Sequence, residues 1–186
     1  MLERTLHLLA LSGSLRAASF NTALLRAAAE GAPDGVIVTL HDYRDVPLYD
    51  PDLGLPPGVE RLRAAISAAD GLLIATPEFN YGIPGPLKNA IDWASRPAYR
   101  SPFAGKPVAV MSASPGPIGG ARGLQQLKTV LLGMSAVVYP APELAVGGVD
   151  EKIVEGRLVD AVTAERLARL VAGFAAWAPG ARFDVA

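Results

Sequence analysis

Ser14, Arg16, Ser19 and Asn21 lie close together in the segment Gly13-Ser14-Leu15-Arg16-Ala17-Ala18-Ser19-Phe20-Asn21, just ahead of a helical pattern. Hydroxyls, a guanidinium and an amide in front of a helix N-terminus form a phosphate cradle, because free N–H groups and the positive end of the helix dipole converge there. Helix capping alone accounts for Ser19 or Asn21. It gives no role to Ser14 or Arg16. The glycine spacing of a dinucleotide fingerprint and the lysine of a triphosphate loop are both absent, so the segment suits one phosphate better than a pyrophosphate.

A second segment runs Thr76-Pro77-Glu78-Phe79-Asn80-Tyr81-Gly82-Ile83-Pro84-Gly85-Pro86. Two aromatics, a carboxylate and an amide between prolines suit a flat heteroaromatic ring with polar edges. The plainer reading is a turn whose proline opens a helix. The third segment, Ser112 to Arg122, is rich in Gly, Pro and Ser and offers backbone N–H groups without side-chain bulk, or simply a flexible connection that ends a strand.

Other chemistry is poorly served. With no cysteine, disulfides, thiolate catalysis and Cys-based metal or iron–sulfur sites are excluded, so redox work must be borrowed from a cofactor. His7 lies inside an apolar run and His41 just after another, and neither is placed for catalysis. Asp42, Asp45, Asp50 and Asp52 do not have calcium-loop spacing and are interrupted by Pro47 and Pro51, which makes them a solvated loop. Trp93 and Trp177 fall on apolar helix faces, as core or interface residues, and Arg122 and Glu143 belong to a subunit contact or to the surface. The balance of 17 Lys+Arg against 18 Asp+Glu gives no drive toward nucleic acid or an anionic membrane. No apolar run approaches the roughly 18 residues of a membrane span, and the first is too short for a signal peptide, so the expectation is a cytoplasmic protein.

The elements that must position these segments are legible from periodicity. Leu6–Leu11, Val36–Leu40, Leu72–Thr76, Val108–Met111 and Ala136–Tyr139 read as buried parallel strands. Asn21–Glu30, Val59–Ala69, Leu87–Ser95, Gly123–Met134 and a stretch from about Asp160 to Trp177 read as helices. In 186 residues, 51% hydrophobic and 19% charged, this alternation predicts a single α/β domain over 1–186. The expected architecture is a flavodoxin-like three-layer sandwich, a five-stranded parallel sheet with helices on both faces. Ligands of such sheets bind at the carboxyl ends of the strands, where the three loops fall.

Taken together, GSLRAASFN, TPEFNYGIPGPLKNAIDWASR and SASPGPIGGARG resemble the NADPH-dependent FMN reductase family, which includes quinone, chromate and azo-dye reductases. The resemblance extends over nearly the whole chain. It implies that Ser14, Arg16, Ser19, Phe20 and Asn21 bind the FMN phosphate end. Pro77, Glu78, Phe79, Asn80 and Tyr81 would lie beside the isoalloxazine, and Ser114 and Gly116 would complete the site. At Phe79 relatives often carry tyrosine, so a hydroxyl contact is missing here. It further implies NADPH or NADH as co-substrate, a small-molecule electron acceptor, no catalytic side chain beyond the flavin, and a homodimer or homotetramer with Leu87–Ser95 at a contact. A flavodoxin-type electron carrier is the alternative, disfavoured because such carriers dock through a strongly acidic face. A hydrolase based on Ser12 or Ser14 lacks a placed histidine.

Overall fold

The computed structural model describes residues 4–98 and 100–181, so both ends of the expected 1–186 span lie outside the description. In chain order the elements are β1 (Leu6–Ser12), α1 (Phe20–Glu30), β2 (Val36–Leu40), α2 (Pro57–Ala68), β3 (Gly71–Ala75), α3 (Gly85–Ala94), β4 (Pro107–Ala113), α4 (Ala121–Leu132), β5 (Val137–Val138), β6 (Leu144–Val146), α5 (Val149–Lys152), β7 (Ile153–Val154), β8 (Arg157–Leu158) and α6 (Ala161–Ala181). The main sheet has the order β2-β1-β3-β4-β5, with β6 also paired to β4, and every pairing in it is parallel.

Alternating side chains sort the core into two layers, as strands covered on both faces require. Leu6, Leu8 and Ala10 of β1, with Leu73 and Ala75 of β3, meet Leu24 and Leu25 of α1 and Leu167, Val171 and Phe174 of α6. Leu9 and Leu11, with Leu72 and Ile74, face Leu62 and Ile66 of α2, Leu87 and Ile91 of α3, and Leu124 and Leu127 of α4. The three-layer sandwich and the parallel five-strand path agree with the sequence expectation.

The last strand differs from it. Instead of one strand over Ala136–Tyr139, the chain pairs with the start of β4 through Val137 and Val138, leaves the sheet, and returns as β6 beside Met111–Ala113. The break coincides with Pro140 and Pro142, whose rings fix φ and restrict the residue before each of them. The return has a consequence for the ligand loops: β6 extends the sheet alongside the carboxyl end of β4, where the third loop begins.

Candidate functional site

The loop after β1 is organised around Ser12. Its Oγ accepts from Thr22 Oγ1 at 2.7 Å and from the Ser14 N–H at 3.3 Å. Ser14 Oγ accepts the Arg16 N–H at 3.3 Å, and Ser19 Oγ caps α1 by accepting the Thr22 N–H at 3.2 Å. The N–H groups of Phe20 and Asn21 open the helix with no acceptor among the described residues. They are the orphan donors that every helix start carries. Arg16 is exposed and makes no ion pair among the described residues. The capping reading of Ser19 therefore holds beside the cradle reading, because the capping oxygen keeps its own proton to donate.

Asn21 departs from the expectation in one respect. Its side chain is buried, Nδ2 donating to the Ala113 carbonyl at 2.9 Å and Oδ1 accepting the Ala113 N–H at 3.0 Å. Only its backbone N–H is left for a ligand. Phe20 is half-buried and packs on the core layer of α1 and α6.

In the loop after β3, Phe79 and Gly82 exchange backbone hydrogen bonds of 2.9 and 3.0 Å around Asn80 and Tyr81. Both central residues have positive φ, 49° and 69°. This is the tight two-residue turn usually built from Asn and Gly, and a tyrosine there carries backbone strain. The turn projects Phe79 and Tyr81 outward, 55% and 71% exposed.

Glu78 anchors the second loop to the third. Its Oε2 accepts the N–H groups of Arg122 at 3.0 Å and Gly123 at 3.3 Å, and its Oε1 accepts Arg122 Nε at 2.6 Å. The carboxylate thus caps α4, whose own cap position is Gly120 and has no side chain to offer. The same Arg122 guanidinium lies 3.9 Å from the centroid of the Tyr81 ring, a cation–π stack. Arg122 is a component that its sequence context did not reveal, because its partners come from a different loop.

The loop after β4 folds back on itself: Ser114 Oγ accepts the Gly116 N–H at 3.2 Å, and the Gly116 carbonyl accepts the Gly119 N–H at 3.1 Å. A Cβ on Gly119, whose φ is +63°, would stand 2.7 Å from the Ala145 carbonyl carbon, and one on Gly147 would collide with the Pro117 carbonyl. Glycine is required at both positions for the loop to lie against the β6 exit. The N–H groups of Ile118 and Gly120 have no acceptor among the described residues.

These pieces border an open cavity of about 490 Å³, with Glu78, Asn80, Tyr81, Ser114, Gly116 and Arg122 in its wall. Pro77 and Phe79 flank it without lining it, while Ser14 and Arg16 line a different cavity on the first loop. His7 and His41 are absent from the larger cavity. Burial pushes the His41 imidazole below its ordinary range. Among the described residues no cluster of three or more metal-binding side chains occurs, and no helix is long and apolar enough to cross a membrane. The donor set fits a ligand with one phosphate and a flat polar ring: orphan N–H groups, hydroxyls and a free guanidinium at one end, an aromatic and N–H-lined opening at the other.

Comparison with known proteins gives the same direction. A model of the family described as NADPH-dependent FMN reductase matches residues 6–151. The chain is similar to an NAD(P)H-dependent FMN reductase of Pseudomonas aeruginosa, 42% identical over 173 residues that cover 91% of this chain and 93% of that protein. It is 40% identical over 180 residues to a quinone reductase of Escherichia coli, covering 93% and 95% of the two chains. Among solved structures it resembles the flavoenzyme NAD(P)H:(acceptor) oxidoreductase FerB of Paracoccus denitrificans, with a TM-score of 0.87 and 35% identity over 95% of this chain and 99% of that one.

Proposed function

The chain belongs to the NADPH-dependent FMN reductase family, and on that premise we propose that the loops after β1, β3 and β4 form its FMN site. The protein is an NAD(P)H-dependent, FMN-containing oxidoreductase of the quinone-reductase kind, an enzyme and not a plain electron carrier. When bound, FMN would supply the hydride chemistry, which no amino-acid side chain provides.

The residues supply binding and electrostatics. In this reading the Phe20 and Asn21 N–H groups, the Ser14 and Ser19 hydroxyls and Arg16 hold the phosphate. Pro77, Glu78, Phe79, Asn80 and Tyr81 shape the ring side, and Ser114 and Gly116 form the opposing lip. Ile118 and Gly120 also line the cavity, and their N–H groups, without an acceptor among the described residues, would be donors to the polar edge of a bound flavin ring. The observation that carries the reading is the convergence of a single-phosphate cradle and an open, N–H-lined cavity at the carboxyl ends of neighbouring parallel strands. The test is the visible spectrum of the purified protein and the identity of what is released on denaturation. FMN in near-stoichiometric amount is expected. Release of FAD alone, or no flavin affinity in the folded protein, would overturn it.

One wide opening serves both reactants, so nicotinamide and acceptor exclude each other from it. Steady-state turnover with NADPH and a quinone is therefore expected to give parallel double-reciprocal lines, and replacing Tyr81 should disturb both half-reactions together. Intersecting lines would show two separate reactant sites. NAD(P)H as co-substrate makes the cytoplasm the proposed location, and the proposed unit is one FMN-binding domain over 1–186.

We also infer a homodimer or homotetramer. Trp93 does not itself offer a contact, since it is buried and its Nε1 donates to the Pro47 carbonyl at 2.8 Å. It anchors the segment that carries Leu48, Leu53 and Leu55, which are 85%, 54% and 53% exposed. Such a group of large apolar side chains supports burial against a second copy. Light scattering at micromolar concentration is expected to give a multiple of the chain mass, and a monomer mass would refute the inference.

A further inference from the structure

A cavity of about 340 Å³ beside the first loop shares Ser14 and Arg16 with the proposed phosphate cradle and extends from it toward β2. It lies between the start of α1, represented by Thr22 and Arg26, and the exit of β2 from Leu40 to Arg44. In the order β2-β1-β3-β4-β5 this is the flank of β1 facing away from β3 and β4. The cavity therefore opens on the side of the phosphate cradle opposite the proposed ring site.

Its lining is cationic and rich in hydroxyls. Arg16, Arg26 and Arg44 border it, and Asp42 is the one carboxylate that does. Asp42 is already engaged, 2.9 Å from Arg44 Nη1, while Arg44 Nη2 donates to the Leu15 carbonyl at 2.7 Å. Arg44 is thereby held in place with its charge balanced. Arg16 and Arg26 have no carboxylate partner among the described residues. Ser12, Ser14 and Thr22 add hydroxyls, and Leu15, Leu40 and Tyr43 add an apolar wall. Tyr43 is buried and its hydroxyl donates to the Ser12 carbonyl, which fastens the β2 exit to β1.

With Arg16 given to the FMN phosphate, Arg26, which has no carboxylate partner among the described residues, and the fixed Arg44 are the guanidinium groups left to meet a phosphomonoester, because arginine binds anionic oxygens through paired, charge-assisted hydrogen bonds. The apolar wall suits the sugar or base that carries it. The gap between β1 and β2 is two strand spacings, about 10 Å, from the gap between β3 and β4. Two nucleosides joined by a pyrophosphate can reach across that distance.

We propose that the part of this cavity bordered by Arg26 and Arg44 is a phosphomonoester subsite, taking either the 2′-phosphate of NADPH or a free phosphomonoester. The NADPH form of this inference rests on the reading of the neighbouring loops as the FMN and nicotinamide site. Under it, the subsite determines the preference for NADPH over NADH.

The experiment uses FMN-loaded protein and its Arg26→Gln and Arg44→Gln variants. Anaerobic flavin bleaching is followed against NADPH and NADH concentration, and inorganic phosphate is titrated calorimetrically. The expected result is an NADPH dissociation constant about tenfold higher in Arg26→Gln, the scale of one lost charge-assisted contact, with the NADH constant and FMN content unchanged. If nucleotide preference is unchanged but phosphate binds the parent and not Arg26→Gln, the free phosphomonoester is the ligand. If neither nucleotide preference nor phosphate binding differs between parent and variants, there is no subsite. Loss of FMN from Arg26→Gln would assign the cavity to the cofactor's own phosphate and equally overturn the proposal. A parent that binds phosphate here but is bleached by neither nucleotide would instead contradict the reductase reading and leave the subsite standing.

Discussion

Replacing Asn21 with alanine is expected to destabilise the fold by about 2–4 kcal/mol, and to weaken FMN binding as a consequence. Asn21 is 2% exposed, and its amide both donates to and accepts from the backbone of Ala113. The position of Ala113 explains why this matters. The β3–β4 register ends at Ala75 opposite Met111, so Ala113 continues beyond its neighbour on that side. The Asn21 side chain takes the place of the missing strand. An alanine leaves a buried N–H and a buried carbonyl unpaired, each costing about 1–3 kcal/mol when no water can reach it. The same bonds tie the helix that opens the phosphate cradle to the strand that begins the third loop, so loosening them moves two walls of the site. Denaturant unfolding should show a lower midpoint at unchanged slope. A stability change within about 0.5 kcal/mol, the range of ordinary surface substitutions, would mean that water replaces the amide.

The dual role of Asn21 illustrates what was legible in the sequence. Residue type and spacing placed it at the start of the first helix, but a motif does not state which way a side chain points. Its amide turns inward to a strand far along the chain. Glu78 presents the same limit. Its place in a polar, aromatic-bordered loop was readable from the residues around it, whereas its capping of α4 depends on Arg122 and Gly123, which belong to the first turn of that helix. Strands buried on both faces were the easiest elements, since a continuous apolar run such as Leu72–Ile74 has few other uses. The return strand Leu144–Val146 was the hardest, because so short a segment after two prolines has no periodicity of its own and is specified by pairing to Met111–Ala113. Local pattern therefore reported the layers and the loops, and long-range hydrogen bonds decided the orientation of the polar groups within them.

Arg16→Ala is expected to weaken FMN binding by about 1.5–3 kcal/mol, a loss of roughly 10- to 150-fold in affinity, while leaving the fold intact. The asymmetry follows from its surroundings. Arg16 is exposed and has no ion-pair partner among the described residues, so no buried contact of the folded chain is lost with it. Arg16 belongs to the short loop that leads into α1, its carbonyl accepting the Ser19 N–H at 3.1 Å, and in the proposed site its charge would add a charge-assisted bond to what the helix terminus offers. Flavin fluorescence titration of FMN-depleted protein measures the loss directly. Lysine at this position should recover only part of it, because an ammonium keeps the charge without the two-pronged geometry of the guanidinium. Raising the salt concentration should narrow the gap between parent and alanine variant, since an exposed charge is screened within about 10 Å at 0.1 M ionic strength. Equal FMN affinity in parent and alanine variant at low salt would place Arg16 outside the cradle. The phosphate would then be held by the α1 N-terminus and the serines alone.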